Sequence, residues 1–93
     1  MSPYLSLLSV ADLQNAFVRY LREQRQQLKL SRAALATKSG VPAATIKKFE
    51  LTGQISLRQL LLLWQSLDRL DRLEAVCHAQ IAAPKSIAEV LKR

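Results

Sequence analysis

The sequence predicts an all-α fold, a small bundle of five or six helices. Its 93 residues suffice for one domain with a single small core. Apolar residues recur at helical spacing along most of the chain, and no stretch alternates as a half-buried strand would. Helix-start residues precede the periodic stretches at Ser9, Ser31 and Ser56, and Gly40 falls where a helix has to stop.

Residues 1–8 are apolar and are predicted to be an N-terminal arm, either poorly ordered or packed on a partner subunit. The first helix is predicted over about residues 10–28. Ser9 and Asp12 have the spacing of a capping box at its start. Helical spacing then gives this helix an apolar side, formed by Val10, Leu13, Phe17 and Leu21.

Residues 31–53 have the pattern of two short helices joined by a tight turn. Ser31 can cap the first of them, about 32–39, with its hydroxyl. Gly40 lies at the turn, where a positive φ costs glycine almost nothing. The second helix, about 43–51, begins after Pro42, which suits a first helical turn because its missing N–H would be unpaired there.

The fourth helix, about 57–67, is apolar nearly all round. Ser56 and Gln59 form a second capping box at its start. The stripe predicted to face the core comprises Leu57, Leu60, Leu61, Trp64 and Leu67. A helix this apolar is buried on both sides, so we predict a dimer interface at Leu62, Leu63 and Trp64.

A fifth helix is expected over about residues 70–80, closing a domain that spans residues 9–80. Residues 81–93 are expected to form a C-terminal extension with a short helix, which Ser86 and Glu89 would cap. So short a helix needs packing on this domain or on a partner.

The net charge of +7 lies in one window of the chain. Between Arg19 and Arg58 there are nine basic and two acidic residues, whereas the charges of the remaining residues balance. A solvated surface that is basic by chance would spread this charge more evenly. The surplus therefore indicates a polyanionic partner for the region around residues 31–53.

The second short helix has an outward face suited to a DNA major groove, because burial of Ile46 and Phe49 leaves small residues and lysines outside. The predicted base-contacting residues are Ala43, Ala44, Thr45, Lys47 and Lys48. The predicted phosphate-contacting residues are Ser31, Arg32, Lys38 and Arg58, and the first two begin a helix whose N-terminus favours an anion. The alternative is that Lys47 and Lys48 are only solvated. Glu50 is expected to bond the following loop or to pair with an arginine of the first helix.

Catalytic, metal-binding and membrane functions are not expected. Cys77 and His78 are adjacent and point apart on a helix, and the chain has no other Cys or His to complete a metal site or a nucleophile–base pair. No apolar run approaches the ~18–20 residues of a membrane span, and the N-terminus lacks a signal-peptide pattern. We expect a non-enzymatic, cofactor-free protein of the cytoplasm, associated with the nucleoid.

The stretch from Arg25 to Leu67 resembles the Cro/C1-type (XRE) helix-turn-helix family of bacterial and phage DNA-binding proteins. The matching features are Leu35-Ala36, Gly40-Val41, Ile46, Phe49-Glu50 and Gly53. Within that family, residues 47–76 are similar to HipB-like antitoxin-associated regulators. Those proteins combine an aromatic-Glu-x-x-Gly ending with an Ile-Ser-Leu start of the next helix.

The resemblance implies a lambda-repressor-like helix-turn-helix in a homodimer that binds a palindromic operator in its own promoter. It also implies association with a HipA-type kinase toxin, whole or split. Many relatives begin the recognition helix with Ser or Thr followed by Gln, where this chain has Pro42-Ala43-Ala44. Base specificity would then rest on methyl contacts, Thr45 and the lysines. The alternatives are a module that mainly holds a toxin kinase, and a phage or restriction-modification controller.

Overall fold

The computed structural model describes residues 7–78, which form five α-helices followed by a 3₁₀ turn. The elements are α1 (Val10–Gln27), α2 (Arg32–Ser39), α3 (Ala43–Thr52), α4 (Leu57–Leu67), α5 (Leu70–Glu74) and a 3₁₀-helix (Ala75–His78). None of the described residues forms a strand, and the predicted all-α class is confirmed. Most of the predicted N-terminal arm and the whole C-terminal extension lie outside the described residues.

Serine side chains begin three of these helices, as their positions in the sequence predict. Ser9 Oγ accepts the Asp12 N–H, and the Asp12 carboxylate accepts the Ser9 N–H, both at 3.0 Å. Ser31 Oγ accepts the Ala34 N–H at 2.9 Å. Ser56 Oγ accepts the Gln59 N–H at 3.1 Å, while the Gln59 side chain accepts from the Ser56 hydroxyl. Each such cap stabilises its helix by about 1 kcal/mol.

Glycine ends both α2 and α3 in the left-handed conformation, with φ of 82° at Gly40 and 80° at Gly53. Their N–H groups donate to the carbonyls of Ala36 and Phe49, each at 2.8 Å. Gly53 has a second reason to be glycine, because a Cβ there would lie 3.2 Å from the Cβ of Gln14 on α1. The chain therefore turns sharply at both ends of α3, which sets that helix against α2 and α1.

The hydrophobic core receives side chains from α1, α2, α3, α4 and the turn between α2 and α3. Its buried members are Leu21, Leu35, Val41, Ile46, Phe49, Leu63, Trp64 and Leu67. The predicted burial of Ile46 and Phe49 on one side of α3 is confirmed, with 0% and 2% of each residue exposed. The core thus holds α3 by one side and leaves its other side at the surface.

The orientation of α4 corrects the prediction for that helix. Leu63 is 1% exposed and lies in the core, so one chain offers almost none of its surface to the predicted dimer interface. Trp64 is 8% exposed and also belongs to the core, which is one of its two predicted roles, while its place at a dimer interface stays a prediction. Leu57 and Leu61, predicted to face the core, are 70% and 36% exposed. Leu62 is half-buried.

Aromatic packing decides which stripe of α4 faces inward. The ring of Trp64 lies edge-on to Phe17, at 6.0 Å between centroids, and tilted against Tyr20 at 5.3 Å. Its indole N–H donates to the Arg69 carbonyl at 2.8 Å. Leu60 and Leu67, at helical spacing from Trp64, then turn inward together with Leu63, which lies at helical spacing from both of them. The run of leucines 60–63 fits either stripe, so the sequence pattern alone does not determine which side of α4 faces the core.

The fifth α-helix is shorter than predicted. It ends at Glu74, and the chain continues as the 3₁₀ turn.

A polar link connects the start of α5 to α1. The Tyr20 hydroxyl donates to the Asp68 carboxylate, and Arg72 donates to the same carboxylate at 2.9 Å and to the Tyr20 oxygen at 3.1 Å.

Replacing Leu63 with Ala tests the corrected orientation of α4. We expect the free energy of unfolding to fall by about 2–5 kcal/mol, because the change leaves a cavity in the core. Leu51→Ala serves as a control, since Leu51 is 70% exposed, and is expected to change stability by less than about 0.5 kcal/mol. Urea denaturation followed by circular dichroism measures both. Equal stabilities of the two variants would contradict the assignment.

Candidate nucleic-acid interface

The helix α3 presents two distinct sides. Ile46, Phe49 and Glu50 are buried, and the opposite side carries the predicted base-contacting residues. Ala43, Ala44, Lys47 and Lys48 are exposed, and Thr45 is half-buried. Small side chains at the start of the helix let its backbone approach another surface closely, and the two lysines add positive charge next to them. The four exposed residues lie together on one helical face, and their contact with bases stays a prediction.

The start of α3 has no side-chain cap. Pro42 occupies the cap position with φ of −58° and ψ of 143°, and its carbonyl accepts the N–H groups of Thr45 and Ile46 at 2.9 and 3.0 Å. A proline has no hydroxyl or carboxylate that could bond the N–H groups of the first turn. The positive end of the helix dipole, at the start of α3, is therefore not compensated by a side-chain oxygen.

The four predicted phosphate-contacting residues differ in how they are held. Ser31 is exposed at the start of α2, where its hydroxyl is the cap acceptor for Ala34. Lys38 is exposed in the last turn of α2, and Arg58 is exposed in the first turn of α4. Arg32 differs from the prediction, because its guanidinium turns toward the protein and donates through Nε to Glu50 Oε1 at 2.9 Å. Its side chain is 35% exposed.

Glu50 is the buried partner of two arginines, and the three residues Arg25, Arg32 and Glu50 form what we call the Glu50 cluster. Arg25 of α1 donates through Nε and a terminal nitrogen to the two carboxylate oxygens, at 2.8 and 3.0 Å. Arg25 also donates to the Leu30 carbonyl at 2.9 Å, in the connection between α1 and α2. The predicted pairing of Glu50 with an arginine of the first helix is confirmed. The second arginine, from α2, is one that sequence reasoning missed.

The protonation of Glu50 is governed by two opposing effects. Burial of the carboxyl disfavours its charged form, but the hydrogen bonds and charges of Arg25 and Arg32 outweigh burial and hold the pKa of Glu50 below its ordinary value. The carboxylate is therefore charged at neutral pH, even though only 4% of its side chain is exposed to solvent. The Glu50 cluster therefore joins α1, α2 and α3 through charge-assisted bonds.

Other chemistry finds little support in the part of the chain that the structure describes. No group of three His, Cys, Asp or Glu side chains between residues 7 and 78 could hold a metal ion. Cys77 is exposed, and the imidazole Nε2 of His78 lies 2.5 Å from a carboxylate oxygen of Glu74. None of the helices in this part is long and apolar enough to cross a membrane.

Comparison with known proteins identifies the same region. Residues 21–63 match a family described as helix-turn-helix, of the Cro/C1 (XRE) type found in DNA-binding transcription regulators. The match begins in α1, contains α2, the turn at Gly40 and α3, and ends in α4. No curated protein and no solved structure matches the chain. This region is therefore similar to a helix-turn-helix domain, and α2 and α3 lie where that motif has its two helices.

Replacing Glu50 with Gln tests the ion pairs of the cluster. At pH 7 we expect a loss of about 2–4 kcal/mol of unfolding free energy, because two arginines lose their buried counter-charge. A depressed folded-state pKa gives stability that is present above the unfolded value, about 4.3, and is lost as pH falls through the folded value. The difference between wild type and variant should therefore shrink under strongly acidic conditions. Urea denaturation at neutral and acidic pH measures it.

The control for this variant is Asp71→Asn, which breaks an ion pair with Arg69 in which both side chains are more than half exposed. Solvent screens such a pair, so no measurable loss is expected. The assignment of the Glu50 cluster would be wrong if the two variants lost equal stability at neutral pH, or if the loss for Glu50→Gln were the same at every pH.

Proposed function

We propose that this protein is a sequence-specific DNA-binding repressor that inserts α3 into the major groove and acts by occupying a promoter. The observation that carries the proposal is the exposed face of α3, made of Ala43, Ala44, Lys47 and Lys48 and held outward by the buried side of the same helix. A face of small residues and lysines matches the groove in shape and charge.

The side chains of that face suggest which contacts would give specificity for a DNA sequence and which would give affinity. The methyl groups of Ala43 and Ala44 suit contact with thymine methyl groups, and the Thr45 hydroxyl can bond either kind of base edge. No Asn, Gln or Arg stands among the five predicted base contacts. Phosphate contacts from Lys38, Arg58 and the N-terminus of α2, together with the charges of Lys47 and Lys48, would then supply most of the affinity, which would fall steeply with salt.

A single copy of α3 reads too few base pairs for a unique site. We infer a homodimer that places two copies of α3 in successive major grooves about 34 Å apart, on a palindromic operator. The proposed setting is the cytoplasm, at the nucleoid. No catalytic role or cofactor is proposed.

The narrower proposal is a HipB-like antitoxin that represses the promoter of its own toxin–antitoxin operon. The similarity within residues 47–76 supports it, through Phe49-Glu50 with Gly53 and the following Ile55-Ser56-Leu57. A HipA-type kinase toxin, whole or split, would be the protein partner. A phage or restriction-modification controller is the alternative with the same fold, and the neighbouring genes distinguish the two.

Exposed apolar side chains on α1, α4 and the 3₁₀ turn favour a second candidate function. Val10, Leu57 and Val76 are each at least 70% exposed, which is unusual for large apolar residues. In this alternative the protein mainly holds a partner such as a toxin kinase, and its DNA binding is secondary. Equal affinity for random and promoter DNA would favour this function over operator recognition.

Replacing Lys47 and Lys48 together with Ala tests the proposed role of α3. We expect at least a tenfold loss of affinity for the promoter duplex, and a salt dependence of binding that is shallower by about two phosphate contacts. Fluorescence anisotropy titrations at several salt concentrations measure both quantities. Circular dichroism should show unchanged melting, because both lysines are exposed.

The matched control is the double variant Arg19→Ala and Arg22→Ala, which removes the same charge from the exposed surface of α1. If the protein attracted DNA only by its overall charge, both double variants would lose similar affinity. A smaller loss for the α1 variant supports docking through α3, and unchanged binding of the α3 variant would exclude that helix from the mechanism.

A further inference from the structure

The exposed face of α3 begins with three apolar residues in succession, which we call the apolar tip. Pro42 occupies the cap position, and Ala43 and Ala44 are the first two residues of the helix. All three are exposed, and the lysines of the same face, Lys47 and Lys48, come later in the helix. The side chains of the apolar tip contain no group that can donate or accept a hydrogen bond. This end of α3 therefore offers methyl and methylene groups to a bound molecule.

Buried residues on both sides hold the apolar tip in place. Val41, directly before it, is 1% exposed, and the Val41 N–H donates to Ser39 Oγ at 3.1 Å. Ile46, two residues after it, is 0% exposed. The Pro42 carbonyl accepts the N–H groups of Thr45 and Ile46, so the first turn of the helix is already formed. Because a gap of about 0.5–1 Å loses a large part of a van der Waals contact, a tip held in this way favours close contact with one particular group.

The edges of the bases decide which group suits an apolar surface. In the major groove every base pair presents hydrogen-bond donors or acceptors, and the C5-methyl group of thymine is the one apolar substituent. A polar edge placed against the apolar tip would lose its water without gaining a hydrogen bond, which costs free energy. A C5-methyl group placed there would bury apolar surface on both partners. The tip therefore favours a pyrimidine that carries this methyl group.

We propose that the apolar tip recognises the C5-methyl group itself, so that 5-methylcytosine is bound there as well as thymine. The two bases carry the same methyl group and differ at C4, where thymine has a carbonyl oxygen and 5-methylcytosine has an amino group. Only a hydrogen-bonding side chain distinguishes these two groups, and the tip has none. The hydroxyl of Thr45, next in sequence, both donates and accepts, and so tolerates either base. The proposal rests on the proposed function for the insertion of α3 into the major groove.

The lysines of α3 have a separate role in this arrangement. Lys47 lies one turn after Ala43 and Lys48 one turn after Ala44, because residues four apart are neighbours on a helix. Their ammonium groups bind phosphates and the acceptor atoms of guanine, and do not distinguish a methylated from an unmethylated pyrimidine. Methylation of a cytosine opposite the apolar tip would then strengthen binding. The protein would respond to the methylation state of its DNA, which attraction by overall charge could not produce.

The test uses the full chain and a pool of DNA duplexes with a randomised centre, from which repeated rounds of binding select the preferred sequence. Each thymine of the selected half-site is then replaced in turn. Four duplexes are compared at that position, with a thymine–adenine, uracil–adenine, 5-methylcytosine–guanine or cytosine–guanine pair. The first two differ by one methyl group alone, and so do the last two. Fluorescence anisotropy titrations give the four dissociation constants.

We expect a preference for the methyl group in both comparisons, at the position or positions that the apolar tip contacts. Thymine should bind about fourfold more tightly than uracil, and 5-methylcytosine about fourfold more tightly than cytosine, since burial of one methyl group contributes about that factor. When the change is made in both half-sites of a palindromic duplex, the two distant contacts of a dimer should give a factor of about 16.

Two glycine variants assign the preference to the apolar tip. Ala43→Gly and Ala44→Gly, made singly, each remove one methyl group, and at least one of them should bring both ratios close to unity. The matched control is the double variant Lys47→Ala and Lys48→Ala, measured at low salt, where its weaker binding remains measurable. It should lose affinity for all four duplexes by a similar factor and keep both ratios. Circular dichroism checks that every variant is folded, since glycine lowers helix stability.

The possible outcomes separate this inference from the proposed function. Equal affinities within either methyl comparison at every position, a selected half-site without thymine, or ratios that persist in both glycine variants would each overturn the inference. A selected sequence whose affinity does not depend on these methyl groups would leave operator binding in place and remove the methyl recognition alone. A pool from which no sequence is selected would contradict the proposed function, and this inference with it.

Discussion

The buried carboxylate of Glu50 is the constraint on which the helix-turn-helix depends. A charged group with 4% of its side chain exposed is costly to remove from water, and it is tolerated only when partners satisfy both oxygens. Arg25 and Arg32 do so from two other helices, so that α3 is fixed relative to α1 and α2 by directional bonds as well as by apolar packing. This matters because α3 lacks a side-chain cap at its start. Its position comes from the buried side of the helix, and that side determines which residues face outward.

Basic and apolar side chains are exposed on different elements of the domain. Small and basic side chains lie on the outer face of α3, whereas Leu57, Leu61, Leu70 and Val76 are exposed together on α4, α5 and the 3₁₀ turn. In the proposed complex the α3 surface supplies electrostatic affinity for DNA. A homodimer would compensate for a reading surface with few hydrogen-bonding side chains, because two correctly spaced half-sites would restrict the target even where each is read loosely.

Much of the fold could be predicted from the sequence because local signals specify it. The bounds of α2 and α4 agree with the predicted ranges, since a capping serine begins each, and Gly40 ends α2 as expected. The orientation of α4 could not be predicted, because four successive leucines satisfy two stripes and only contact with Phe17 and Tyr20 chooses between them. The inward turn of Arg32 was missed for a similar reason, since it depends on where α3 places Glu50. The family match supports DNA binding by the region, while the individual base and phosphate contacts remain predictions.

We propose that the outer face of α3, fixed by the Glu50 cluster, is the surface that meets DNA. A nuclear magnetic resonance titration of the isotope-labelled chain with its promoter duplex tests this most directly, because each backbone amide reports on its own surroundings. We expect the largest chemical-shift changes on residues 43–48 and on the start of α2, with small changes around Arg19 and Arg22 on α1. Changes spread evenly over the basic residues, or concentrated on α4 and α5 with α3 unaffected, would contradict it.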